Sequence, residues 1–108
     1  MLFRSTLQGA TIAITGGINR PPLEESSTME LYKKLEASAM KLGRPEVGHV
    51  AVGGASDGNF AAAAGAKVLD GLGAIGDGAH ALNEQVSISG MNSQIKLLNQ
   101  FVKDLLSE

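Results

Sequence analysis

The sequence predicts an α/β fold with at least part of its sheet parallel, and three observations predict it. Short apolar segments of strand character alternate with segments of helical period along the chain. Two glycine-rich loops, GGASDGNF at 53–60 and GLGAIGDGAH at 71–80, each follow one of those short segments. With 108 residues and no tryptophan, the chain holds one domain at most, its core built from Leu, Ile, Val, Ala and Met.

Residues 10–15, ATIAIT, alternate as a strand does, with Ile12 and Ile14 on one side and Thr11, Ala13 and Thr15 on the other. Gly16 and Gly17 end it, and INRPPLEESS follows as an extended linker stiffened by Pro21 and Pro22. Ser27 with Glu30 three residues later is a capping-box pattern that starts a helix. Leu31, Leu35, Ala39 and Leu42 form its apolar stripe, Lys33, Lys34, Glu36 and Lys41 its wet side, and Gly43 with Pro45 stops it. VGHVAVGG reads as a strand, and SDGNFAAAAGA as a loop opening a short helix capped by Ser56 or Asp57. KVLDGLG and QVSIS are further strands. A last helix over 91–107 carries Met91, Ile95, Leu98, Val102 and Leu105 at helical spacing.

Composition narrows the function. A net charge of -2 gives no electrostatic case for nucleic acid or an anionic membrane. The absence of cysteine excludes disulfides, thiolate metal sites and cysteine nucleophiles. STLQGATIAITGG is too polar for a signal-peptide core, and no run approaches the roughly 20 apolar residues of a membrane span. The expected location is the cytoplasm.

Loops leaving the C-terminal ends of parallel strands gather at one edge, so the two glycine-rich loops are expected to face one cleft. Gly71, Gly73 and Gly76 spell GxGxxG, but a dinucleotide fingerprint needs a helix opening at the glycines and an acid about 20 residues on. DGAHALNEQ follows instead, and no acid lies near residue 91. Of the two histidines, His49 sits at a strand entry and reads as an ordinary residue. His80 lies among glycines with Asp77 and Glu84 nearby, a setting that suits a metal-ligating imidazole. One His does not make a site: a catalytic zinc takes about three protein ligands. Asp57, Asp70, Asp77 and Glu84 are available acids, but no second loop histidine accompanies them.

GGASDGNFAAAAGAKVLDGLGAIGDGAHALNEQVSI resembles the C-terminal part of the two-zinc metallopeptidase and deacylase family. That family includes glutamate carboxypeptidase, acetylornithine deacetylase, succinyl-diaminopimelate desuccinylase and aminoacylase. The upstream GGINRPPLE, followed by a helix ending in LG, matches what precedes the block there, so the similarity spans about residues 9–107. The resemblance implies a partial three-layer catalytic domain at 18–108, with a short mixed sheet and flanking helices. It makes residues 1–17 the last strand of a lid or dimerisation domain. By the same resemblance His80 is the family's last metal ligand, and Arg20 grips the substrate carboxylate through its planar guanidinium. Gly54, Ser56, Asp57, Gly58 and Asn59 lie along the substrate, and Glu84 matches a nearby acid that supports the ligands from behind.

The chemistry so implied is attack of a metal-activated water on an amide carbonyl of a peptide or N-acyl amino acid. The remaining ligands of the two zinc ions and the general-base Glu belong to the family's N-terminal part. No catalytic residue is expected within these residues, zinc binding is expected to be at most partial, and the chain alone is expected to be inactive. Its expected partners are the missing N-terminal portion, as in a truncated or split reading frame, and in the full enzyme a carboxylate-bearing substrate. The alternative is a non-catalytic α/β interaction module that self-associates, or that binds a small anion through its glycine loops.

Overall fold

The computed structural model describes residues 4–44 and 47–108. A 3-10 turn, Glu25–Ser27, leads into α1 (Met29–Lys41); α2 (Gly58–Ala63), β1 (Gly76–Asp77), β2 (Gln85–Val86) and α3 (Ile88–Leu106) follow. The result is a small mixed α/β architecture, with three helices and one two-stranded sheet among the described residues.

The first helix forms where expected but not by the expected cap. Thr28 precedes α1 and makes no side-chain cap bond. Ser27 closes the 3-10 turn instead, its N–H donating to the Glu24 carbonyl at 3.0 Å, while its own carbonyl accepts from the Val68 N–H at 2.9 Å. The stop is as predicted: Gly43 takes a left-handed φ of 65°. There its N–H reaches the Met40 carbonyl and the Arg44 N–H reaches the Ala39 carbonyl, each at 3.0 Å. Pro45, the other expected stop, lies outside the described residues. The last helix begins earlier than residue 91, because Ser87 Oγ accepts the Gly90 N–H at 3.0 Å and caps it.

The core is the α1–α3 seam. Leu35, Ala39, Leu97 and Phe101 are buried together, with Leu31, Val47, Leu69, Leu72 and Leu105 packed around them. Lys34 pairs with Glu108, Ser38 and Lys41 with Asp104, and Arg44 with the Ser93 carbonyl and Gln94. Rising numbers on one helix meet falling numbers on the other, so α1 and α3 run antiparallel. The α3 stripe expected to be buried is only partly so. Leu98 and Leu105 are half-buried, but Met91, Ile95 and Val102 stay exposed with Ile88 and Leu106. The face that meets α1 is the one bearing Leu97 and Phe101.

Asp104 ties the seam. One carboxylate oxygen accepts from Ser38 Oγ at 2.6 Å; the other accepts from Lys41 Nζ at 2.8 Å and Gln100 Nε2 at 2.9 Å. Chiefly through Lys41 and Ser38, the carboxyl is held at about 2, below its ordinary 3.8. A depressed folded value means that the ionised carboxylate stabilises the fold fully above its ordinary value, and that this is lost as pH falls through about 2. The urea midpoint of the wild type is therefore expected to drop across that acid window, and that of Asp104→Asn to start lower and drop less. Equal slopes for the two would contradict this role.

The strands are where expectation and structure part. Residues 10–15, 47–54 and 67–73 form no strands, and the sheet is antiparallel rather than parallel. A strand exists only if another satisfies its N–H and C=O groups. Among the described residues the one pairing is Gly76 with Val86 and Asp77 with Gln85. That pairing is close enough that a side chain at Gly76 would collide with the Gln85 backbone. Ile12, Ile14, Val50 and Val52 are exposed as a consequence. The radius of gyration is 19.5 Å and the extents are 65 × 37 × 18 Å. A packed domain of this length would measure about 13 Å. The chain is a thin slab with apolar side chains on its surface. No helix among the described residues is long and apolar enough to cross a membrane.

Candidate functional site

The loop at 54–59 folds around two of its own side chains. Ser56 Oγ accepts the Gly58 N–H at 3.1 Å and donates to Asp70 Oδ2 at 2.6 Å. Asn59, buried at the start of α2, accepts the Ser56 N–H on Oδ1 at 3.0 Å and donates through Nδ2 to the Pro21 carbonyl at 2.9 Å. These bonds make Ser56, rather than Asp57, the residue that organises the helix start; the Asp57 side chain makes no cap bond. They also use the amides of Ser56, Gly58 and Asn59 inside the loop, since Asn59 N–H donates to the Ser56 carbonyl at 3.2 Å.

The Asn59–Pro21 bond brings in Arg20. Its guanidinium carbon lies 4.4 Å from the centroid of the Phe60 ring. Arg20 is half-buried, and among the described residues no hydrogen bond or ion pair occupies its guanidinium. Arg20 and the SDGN loop, distant in sequence, thus meet through Pro21 and Phe60. Asp70 joins the loop through Ser56, its carboxyl lowered below the ordinary range, first by the Ser56 hydroxyl and then by the Gly71 N–H. Phe60 and Asp70 are the residues that sequence reading left out of this group. Phe60 directly follows the motif as an aromatic residue at a loop–helix junction, a legible signal; the pairing of Ser56 with Asp70 has no local one.

His80 sits at the turn between β1 and β2. The Ala81 N–H donates to the Gly78 carbonyl at 2.9 Å, closing a turn in which His80 has a φ of 66°. It is the one non-glycine residue with positive φ among those described. Such conformations are uncommon and gather at functional positions. The imidazole is exposed. Of its neighbouring acids, Asp77 accepts the Gly78 N–H at 2.7 Å and Glu84 is exposed; among the described residues neither bonds to His80. His49, by contrast, packs edge-on against Tyr32 with ring centroids 4.9 Å apart, the ordinary role expected for it.

A sequence model described as Peptidase family M20/M25/M40 matches residues 9–104. The chain belongs to this family. A search of curated proteins and a search of solved structures gave no match. The M20/M25/M40 peptidases are a hydrolase family and generally metal-dependent, so a metal-binding group is the feature to look for. Among the described residues, no three His, Asp or Glu side chains come together to hold a metal ion. Among the described residues the donors do not fit a complete metal centre: His80 offers one imidazole, and no acid is bonded to it.

Proposed function

We propose that the chain is the C-terminal, carboxylate-binding part of a cytoplasmic, zinc-dependent M20-type hydrolase acting on amide bonds in peptides or N-acyl amino acids. In this reading residues 1–17 are a remnant of a lid or dimerisation domain, and residues 18–108 belong to the catalytic domain. Arg20 takes the substrate carboxylate as a two-pronged donor, with Gly54, Ser56, Asp57, Gly58 and Asn59 along the same face. His80 serves as one ligand of the two-zinc centre, Glu84 stands behind it, and the other ligands and the general base come from outside these residues. The chain alone is inactive.

The observation that carries the reading is the meeting of Arg20 with the SDGN loop, its guanidinium carrying no hydrogen bond or ion pair among the described residues, in a chain of this family. The thin, apolar-surfaced slab supports the second half of it, a body made to pack against more protein. The test is to mix the chain with a polypeptide carrying the remaining ligands and base of a family member, in zinc, and assay N-acetyl amino acids and dipeptides. Hydrolysis is expected in the mixture and in neither part alone. Arg20→Ala should raise KM for substrates bearing a free carboxylate more than for their amides. No gain on mixing would overturn the reading.

A second reading, a non-catalytic module that self-associates, is favoured by one feature. Ile88, Met91, Ile95, Val102 and Leu106 form an exposed apolar stripe along α3. A stable homo-oligomer in sedimentation equilibrium, with no gain of activity on mixing, would select it.

A further inference from the structure

Arg20 is a long, flexible side chain, and a carboxylate grip is effective only if the guanidinium is held before the substrate arrives. Two struts hold it. The backbone strut is the Asn59 Nδ2 bond to the Pro21 carbonyl at 2.9 Å, on a segment already stiffened by Pro21 and Pro22. The side-chain strut is Phe60, whose ring centroid lies 4.4 Å from the guanidinium carbon. Phe60 is 45% exposed, so its ring is not spent on the core. A guanidinium lying on an aromatic face keeps its in-plane N–H fork open to a carboxylate.

We propose that Phe60 is a positioning residue for carboxylate recognition, its ring holding the Arg20 guanidinium with the N–H fork turned outward. This rests on the reading of Arg20 given above. It predicts that the residue after the SDGN motif must be aromatic for tight binding, whereas an aliphatic residue there serves the fold equally well.

The test is NMR of the full chain, wild type beside Phe60→Leu and Phe60→Tyr, with the Arg20 side-chain signals assigned through Arg20→Lys. In the free protein the Arg20 δ-proton and Nε–H signals are expected to lie upfield through the ring current. They should relax toward unperturbed positions in Phe60→Leu and return in Phe60→Tyr. N-acetylglycine, as the probe, is expected to shift the same signals saturably, about threefold more weakly in Phe60→Leu and at wild-type strength in Phe60→Tyr. Circular dichroism should show all three proteins equally folded. No ring-current shift in the wild type, or equal affinity in Phe60→Leu, would overturn the positioning role while leaving Arg20 as the carboxylate ligand. A ring-current shift with no response of Arg20 to N-acetylglycine in any variant would overturn both, because there would be no carboxylate to position for.

Discussion

Leu97→Ala is expected to destabilise the fold by about 3 kcal/mol, within the range for emptying a buried leucine site. Leu97 is 0% exposed and sits in the α1–α3 seam with Leu35, Ala39 and Phe101. Few other apolar side chains among the described residues are buried, so no second core can absorb the loss. Small domains are stable by only about 5–15 kcal/mol, and a thin slab belongs near the bottom of that range. Urea denaturation followed by helical circular dichroism should show most of the cooperative transition gone. Ile95→Ala, on the exposed stripe of the same helix, should leave it almost unchanged. Equal losses at the two positions would contradict the assignment of faces.

Removing the His80 imidazole is expected to lower zinc affinity and amide hydrolysis of the completed enzyme by at least about 100-fold. Loss of a mere supporting partner of a metal ligand already costs about 10- to 100-fold, and a ligand should cost more. The choice of variant matters here. With a φ of 66°, His80 occupies a backbone conformation that alanine resists and glycine accepts. His80→Gly therefore removes the ring without adding strain, and its urea midpoint should match the wild type. His80→Ala should lose the same zinc affinity and some stability as well. A His80→Gly enzyme with unchanged zinc affinity would remove His80 from the metal centre.

The helices were legible in the sequence because their signals are local. Gly43 ends α1 where a left-handed residue is required; the start of α3 was missed, because QVSIS read as a strand where Ser87 instead caps the helix through the Gly90 N–H. Which face of α3 is buried was not legible. Leu97 and Phe101 mark one apolar face, and Ile88, Met91, Ile95 and Val102 another, so both satisfy a helical period. A helix apolar on two sides is suited to two neighbours, and α1 occupies one of them. The strands failed for the same physical reason: ATIAIT and VGHVAVGG carry strand propensity, but a ladder depends on a partner elsewhere in space.

The site was legible as a set of residues more than as a mechanism. SDGN, NRPP and GAH stood out by their resemblance to the family's motifs, and the structure joins the first two through Asn59 and Pro21. It does not surround His80 with further ligands among the described residues, nor did the sequence offer a second loop histidine to do so. The tie between Ser56 and Asp70, and the stacking of Arg20 on Phe60, depend on how the loops meet in three dimensions.

The central claim is that these residues bring one metal ligand to a centre completed from outside. Zinc titration of the wild-type chain beside His80→Gly, followed by calorimetry with metal analysis of the recovered protein, tests it most directly. The account predicts only weak binding, nearly the same for both proteins, and no zinc retained after gel filtration. Tight, stoichiometric zinc in the wild type that disappears with His80→Gly would contradict it, because a full set of ligands would then converge within the chain or between its copies.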